Sequence, residues 1–329
     1  MKSRWYRAAL LAGGMALLSY LVARIGPASV LASFRVLSWR LVLVAFFPCV
    51  VFKLLDVLAW RYAFPTAPPP FSRLTSTLLA GQAVALTTPT GTLGGDAVRA
   101  WMLRDRVSLR ESLPSLVIFK TTASAAQGCV LLIGILVARW TLAPDTALVR
   151  IMELLLLLET IGVVGFVAVQ MRGVMGGGHR LLERFGFSGG AAMGEAAEHI
   201  DQALATFYRS QPGRLALSFV FNFLAWVASA CEVWLILYFL GQPVSPATAF
   251  VIEAFGTGIA FATFFIPGQV GVAEGGAVAT FIALGLSAAT GLSFSLVRRV
   301  REITWIGIGF LLLAARPIPS PTSLRSEAA

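Results

Sequence analysis

Nine apolar runs follow one another along the chain, and they constrain the fold more than any other feature. They lie near Ala8–Ala23, Leu41–Trp60, Leu74–Thr88, Pro114–Val137, Leu148–Gln170, Leu215–Leu240, Ala247–Ile266, Gly276–Val297 and Ile303–Ala315. A helix needs about 20 apolar residues to cross about 30 Å of hydrocarbon. Inside that hydrocarbon every backbone polar group must be satisfied by the segment itself, so such runs become helices. Only 13% of the 329 residues are charged and 57% are hydrophobic, against roughly 25% and 45–50% in soluble domains. Too little polar surface remains to coat a soluble globule. A soluble enzyme, a disordered chain and a secreted disulfide scaffold are excluded. The fold class is an all-α integral membrane protein, a polytopic helix bundle.

The net charge of +10 rests on 23 Arg and 3 Lys. These fall mostly in short segments between apolar runs, where they set orientation and meet anionic headgroups. No basic run interleaves with aromatics on a polar scaffold, so no nucleic-acid partner is expected. Cys49, Cys129 and Cys231 each sit singly within an apolar run and are expected as buried thiols. His179 and His199 share one polar loop without metal-ligand spacing and are expected to be solvated. The basic start followed by Ala8–Val22 is expected to stay as a signal-anchor helix. Residues 1–316 are expected to form one transmembrane domain, followed by a short polar tail over 317–329.

The long polar loop over 171–214 holds five Arg, and none occurs from Gly241 to Thr248. That asymmetry puts this loop in the cytoplasm and the next one outside. Within it Met193, Ala196, Ile200, Ala203, Leu204 and Phe207 recur at helical spacing, with Glu195, Glu198, Asp201 and Gln202 opposite. The pattern predicts an amphipathic helix at the membrane surface. Counting spans back, Lys2, Arg4 and Arg7 fall on the cytoplasmic side only if Leu74–Thr88 enters and leaves by the same face. A re-entrant hairpin turning at Pro89–Gly95 is therefore expected, with a cytoplasmic N-terminus.

A second interruption resembles the first. Pro89 is followed seven residues later by Asp96, and Pro267 by Glu274; Gly91, Gly94 and Gly95 lie in one interval, Gly268 and Gly271 in the other. Corresponding interrupted helices in two halves of a chain point to a transporter built from repeats. Unwound backbone is tolerable in a bilayer only when it is buried in protein or lines a wet cavity, and its freed N–H groups and helix ends can then hold a charged group.

Charges also occur at membrane depth: Lys53, Asp56, Lys120, Glu159, Glu232 and Glu253. Each costs roughly 2.5–3.5 kcal/mol at the centre of a lone helix. Six unpaired ones would rival a typical stability of roughly 5–15 kcal/mol, so they are expected to face inward, pair or meet water. Lys53 and Asp56 are spaced to pair along one helix face. Lys120, Ser124 and Gln127 share a face, as do Asn222, Trp226 and Ser229 with Glu232 one turn on; such stripes suggest a lined cavity, or polar contacts between helices. Glu153 and the cluster Arg298, Arg299 and Arg301 are expected at the membrane interfaces.

The stretches Thr87–Arg99 (TTPTGTLGGDAVR) and Ile266–Gly275 (IPGQVGVAEG) resemble the two signature segments of the flippase-like membrane domain of bacterial lysylphosphatidylglycerol synthases, in its stand-alone form. Ile200–Leu240 also resembles the hopanoid-biosynthesis-associated membrane proteins of that family. The resemblance spans roughly residues 5–315. It implies movement of lipids or lipid-linked groups between leaflets of the bacterial inner membrane, through a cavity between helix repeats. Carried onto this sequence, Gly94, Gly95, Asp96 and Arg99 match the first signature; Pro267, Gly268, Gly271, Glu274 and Gly275 match the second. The family's fused aminoacyl-transferase has no counterpart in the residues after the last span, so lysyl transfer is not expected.

Three functions fit these residues. The first is a translocator in which Arg99 contacts phosphate while Asp96 and Glu274 pair with cationic groups or protons; no GxxxxGK[ST] occurs, so ATP is not its direct driver. The second is a membrane partner of lipid-synthesis enzymes that docks through the 171–214 loop. The third, an intramembrane lipid-modifying enzyme, lacks DxxxD, HExxH and GxSxG motifs. A membrane lipid is the expected partner; no catalytic residue, cofactor or metal is expected. The re-entrant topology is tested with cysteines introduced as Pro68→Cys and Arg106→Cys in a background lacking the native three. An impermeant maleimide should label both from the same face of sealed vesicles; labelling from opposite faces would mean a full crossing.

Overall fold

A computed structural model describes residues 39–88, 91–141, 147–171, 191–263 and 266–315. The first apolar run, Pro89, His179 and the polar tail lie outside the described residues. Ten α-helices occupy what is described: α1 (Arg40–Tyr62), α2 (Phe71–Thr87), α3 (Thr92–Leu103), α4 (Leu109–Thr141), α5 (Ala147–Met171), α6 (Ala191–Ser210), α7 (Pro212–Phe239), α8 (Pro246–Ala262), α9 (Val272–Ala283) and α10 (Ala288–Ala314). A 3₁₀ turn, Pro267–Gln269, separates α8 from α9. The chain is an all-helical polytopic membrane protein. Helices α1, α4, α5 and α7 are long and apolar enough to span a bilayer. Their large side chains face outward in quantity, as with Phe47, Val50, Leu157, Ile161 and Leu224, which is stable only against lipid.

Element lengths repeat. A long helix, one of 17 residues, one of 12 and another long one occur as α1–α4 and again as α7–α10. The two first helices pack against each other and run antiparallel. Arg40 lies over Phe239, Phe52 meets Trp226 and Tyr62 stacks on Phe221. Equivalent helices that run in opposite directions make the second quartet an inverted copy of the first. Each 17-residue helix packs against the last helix of the other quartet, α2 on α10 and α8 on α4. These contacts match closely: Gly309 abuts Leu79, and Gly134 abuts Ala254, and within each quartet the two residues involved, Leu79 with Gly134 and Ala254 with Gly309, are 55 apart in sequence.

Both short pairs are hairpins. Arg73, near the start of α2, pairs with Asp105, just past α3, at 2.5 Å, so the segment returns to the end it left, as the charge pattern predicted. Small residues permit the close crossing. A Cβ on Gly95 would stand 2.5 Å from the Gly81 carbonyl oxygen, and one on Gly309 2.5 Å from that of Leu79. Apolar clusters close the two ends of the bundle. One gathers Trp60, Phe64, Leu74, Leu103, Phe119 and Phe207; the other gathers Val44, Ile236, Ile252, Phe281 and Phe294.

Several expectations are corrected. Gly276–Val297 and Ile303–Ala315 are not two spans. The chain breaks earlier, at Gly285, where φ is +75°, and Ser287 caps α10 by accepting from the Thr290 amide at 3.0 Å. The single helix that follows has 27 residues, about 40 Å at 1.5 Å per residue, and carries Arg298–Glu302 in its middle. The dip in hydropathy there marks buried ion pairs and not a helix end. In α6, Leu204 and Phe207 are buried as expected and His199 is exposed, but Asp201 is buried as well. Cys49 is buried, Cys129 half-buried, and Cys231 exposed on the outer face of α7. Replacing Gly95 by Leu should cost about 1–3 kcal/mol of stability by overpacking, seen as a lower unfolding temperature in detergent. The same change at Gly162, which has open space around it, should leave that temperature unchanged.

A charged layer where the hairpins meet

The residues between α8 and α9 turn with three positive φ angles, at Gly268 (61°), Gln269 (50°) and Gly271 (79°). Glycine tolerates that region without penalty; Gln269 is held in it because its side-chain amide donates to the Ala260 carbonyl at 2.9 Å. That carbonyl lies in the last turn of α8 and has lost its helical partner. At the other side of the break Glu274 accepts from the Gly271 amide at 2.7 Å, the N3-to-N-cap half of a capping box. The Gly275 amide donates to the Gly271 carbonyl at 2.9 Å, and Pro267 opens the 3₁₀ turn.

Arg299 of α10 joins the break to the bundle. Its Nε and Nη2 donate to Glu274 Oε1 at 3.1 and 2.8 Å, and its Nη1 to the Gly268 carbonyl and to Glu302, both at 2.7 Å. The first hairpin has a simpler counterpart. Asp96, in the second turn of α3, pairs with Lys120 of α4, and Arg99 donates to it at 3.0 Å. The acid and the base of the next long helix are 24 residues apart in the first quartet and 25 in the second. Gly94 and Gly95 lie one turn before Arg99; Gly95 gives the close crossing described above.

A third group completes the layer. Arg298 donates to Glu253 at 2.6 Å and to Ser229 at 3.1 Å, and lies 3.6 Å from Glu232; Arg301 donates to the same Glu232. The expectation that Arg298, Arg299 and Arg301 sit at interfaces is therefore wrong. They are interior, and they partner acids the sequence had already marked. Lys53 is buried and donates to Gln82 of α2 at 2.5 Å, without the ion pair to Asp56 that their spacing suggested. The polar stripe on α4 also divides: Lys120 turns to α3, Gln127 donates to the Thr257 carbonyl at 3.2 Å, and Ser124 faces α5. Glu159 lies apart from the layer, between α4 and α5. Asn222 donates to Thr122 at 3.1 Å and acts as polar glue between α7 and α4. Glu153 stays peripheral, paired with Arg139.

Two cavities flank the middle of α10. The larger, about 350 Å³, lies among α1, α2, α7, α8 and α10 with Lys53, Gln82, Trp226, Ser229, Glu253 and Trp305 on its walls. The smaller, about 200 Å³, is bordered by Gly268, Gln269, Glu274 and Arg299. Arg298, Arg301 and Glu302 line both, so a short stretch of α10 is their common wall. The 3₁₀ turn also touches α2, which brings the second break against the first hairpin. Arg298 Nε and Glu232 Oε1 are buried and have no hydrogen-bond partner. Gln82, Glu302 and the three arginines were not picked out as site residues by sequence reasoning. The signal available was the i, i+1, i+3, i+4 spacing of charges at 298–302, which fits one helix turn better than a loop. Among the described residues no three His, Cys, Asp or Glu side chains converge as a metal site would require.

The model of the family described as the lysylphosphatidylglycerol synthase TM region matches residues 5–309. No curated protein and no solved structure matches the chain. The family model spans both hairpins, both signature segments and every helix of the charged layer, and the chain belongs to the lysylphosphatidylglycerol synthase TM region family.

Proposed function

We propose that the protein moves the polar head of a membrane lipid across the bacterial inner membrane, by way of the larger cavity, while the acyl chains remain in the bilayer. Family membership places the chain among membrane proteins of lipid modification or transport. The observation that carries the finer reading is the makeup of that cavity. Lys53 lines it, buried, hydrogen-bonded to the neutral Gln82 and lying over the Phe52 ring, with no ion pair, and the unpartnered Nε of Arg298 lies beside it. A buried ammonium without a counter-ion and a buried donor without an acceptor are both costly, and a phosphate oxygen would satisfy both with charge-assisted bonds. Trp226, Trp305, Phe52 and Leu86 supply apolar wall for the glycerol and first methylenes. Asp96 and Glu274, with Arg99, Lys120 and Arg299, hold the two hairpin tips against the bundle, and a cytoplasmic N-terminus is part of this proposal, on the distribution of Lys and Arg.

The reading as a docking partner of lipid-synthesis enzymes draws less support. The apolar side of α6, through Leu204 and Phe207, is already buried against the bundle.

In proteoliposomes containing only this protein, a fluorescent phospholipid should exchange between leaflets. Lys53→Met should lower that exchange at least tenfold without lowering the unfolding temperature. Exchange equal to that of empty vesicles, or undiminished in the variant, would defeat the proposal. Arg299→Lys keeps the charge but loses the fork that holds Glu274 and Gly268 together. It should unfold at a lower temperature than the parent, and neutralising both acids (Asp96→Asn with Glu274→Gln) should abolish exchange.

A further inference from the structure

Glu159 is an intramembrane charge that lies apart from the charged layer. It sits on α5, which belongs to neither quartet. Its side chain is 1% exposed, and neither carboxyl oxygen has a hydrogen-bond partner. It does not lie in a packed core. It lines a pocket of about 260 Å³ between α4 and α5, together with Ser124, Gly128, Cys129 and Thr160. Gly128 borders the space without a side chain, and a Cβ there would stand at contact distance, 3.9 Å, from the Glu159 carboxyl carbon. The pocket rim is formed by Leu132 and Val164, which are 45% and 62% exposed on the outer surface. In a bilayer that rim faces acyl chains. On the two helices Lys120 is already engaged with Asp96 and Arg139 with Glu153.

A carboxyl in hydrocarbon without a partner is unfavourable and by default marks function. Its surroundings specify the partner. The walls are apolar, so the ligand has an alkyl body. The buried acceptor at the bottom, with hydroxyl-bearing Ser124 and Thr160 beside it, calls for a hydrogen-bond donor at the tip. The volume lies below the roughly 300–1,000 Å³ of drug-sized sites, which suits a single chain and excludes a two-chain phosphodiester head. We infer that the α4–α5 groove is a lipid-side binding site for a single-chain amphiphile whose polar end donates a hydrogen bond to Glu159, an ammonium or a hydroxyl. The site is separate from the larger cavity and stands whether or not lipid crosses there.

The test uses the full chain in nanodiscs with two diazirine probes, photoactivatable octadecylamine and photoactivatable octadecanol. Each chain terminates in the donor chemistry in question, and crosslinks are mapped by peptide. The expected result is labelling of residues 124–132 and 156–164 by at least one probe. Excess unlabelled ligand of the same head should compete it away; stearate, whose head is an anion, should not. Glu159→Gln, which removes the charge but keeps the shape, should reduce labelling by the amine at least tenfold. Gly128→Leu, which fills the pocket and leaves the carboxyl, should reduce labelling by either probe to the same extent. Preference for the amine over the alcohol identifies an ammonium head, and the reverse identifies a hydroxyl. The inference is overturned if labelling is unchanged in Gly128→Leu, if stearate competes as well as the amine or alcohol, or if neither probe marks these peptides.

Discussion

A helix broken inside a bilayer frees amides and carbonyls that no water can reach, and the fold depends on how those groups are satisfied. At the second break the solution is a single guanidinium. Arg299 holds the Gly268 carbonyl, Glu274 and Glu302 at once, while Glu274 turns its other oxygen to the Gly271 amide. Five donors in a rigid fork make this possible; an ammonium has fewer and less directed ones. The glycines at 268 and 271 are the backbone half of the same device, since the chain there adopts positive φ. Remove the arginine, and a buried carboxylate and a freed carbonyl are left together in a medium that cannot solvate them. Breaking one partner of such a pair typically costs about 3–5 kcal/mol.

The inverted repeat explains why both breaks survive. Each 17-residue helix rests on the final helix of the opposite quartet through the same small-residue contact, Gly309 with Leu79 and Gly134 with Ala254. Neither hairpin is held by its own quartet alone. Because the quartets run in opposite directions, the two hairpins enter from opposite ends and meet in the interior, where the 3₁₀ turn touches α2. The apolar clusters around Trp60 and Phe281 then lie on either side of a polar middle. Such an arrangement puts two similar helical hairpins on two sides of one charged space.

Much of this was legible in sequence, for physical reasons that differ by residue. The membrane class followed from hydropathy, because lipid-facing surface has no substitute for apolar side chains. The hairpin at Pro89–Gly95 followed from loop charge, because Arg and Lys resist translocation. Asp96 and Glu274 stood out because an acid at fixed distance from a proline repeated. What misled was the inside-out character of α10. Hydropathy registers Arg298–Glu302 as an end of a span, since it scores side chains singly and cannot see Glu232, Glu253 and Glu274 waiting opposite. The Lys53–Asp56 pair failed for a similar reason: helical spacing permits an i, i+3 contact, but Gln82 on a neighbouring helix offered a better-placed acceptor. Gln82, Ser229 and Trp305 become site residues only through the packing of α2, α7 and α10 around α1, and single-sequence reading does not reveal packing between helices.

The charged layer also bears on how a lipid head could be held without being trapped. In a low-dielectric interior an isolated phosphate would be costly to admit, and one bound by several unopposed cations would be costly to release. In the proposed transport an entering phosphate competes with Glu232 and Glu253 for Arg298 and Arg301, and it brings its own negative charge into the layer. Lys53, whose present partner is a neutral amide, supplies the bias toward an anion. A carboxylate displaced from its arginine would be left as an uncompensated buried charge, so in that reading the exchange has to keep every charge paired. The same exchange would weaken the contact of α8 and α7 with α10, because Glu253 and Glu232 are among the side chains that tie them to it. In the proposed transport, occupancy of the cavity and loosening of the helices around it would be coupled through these pairs.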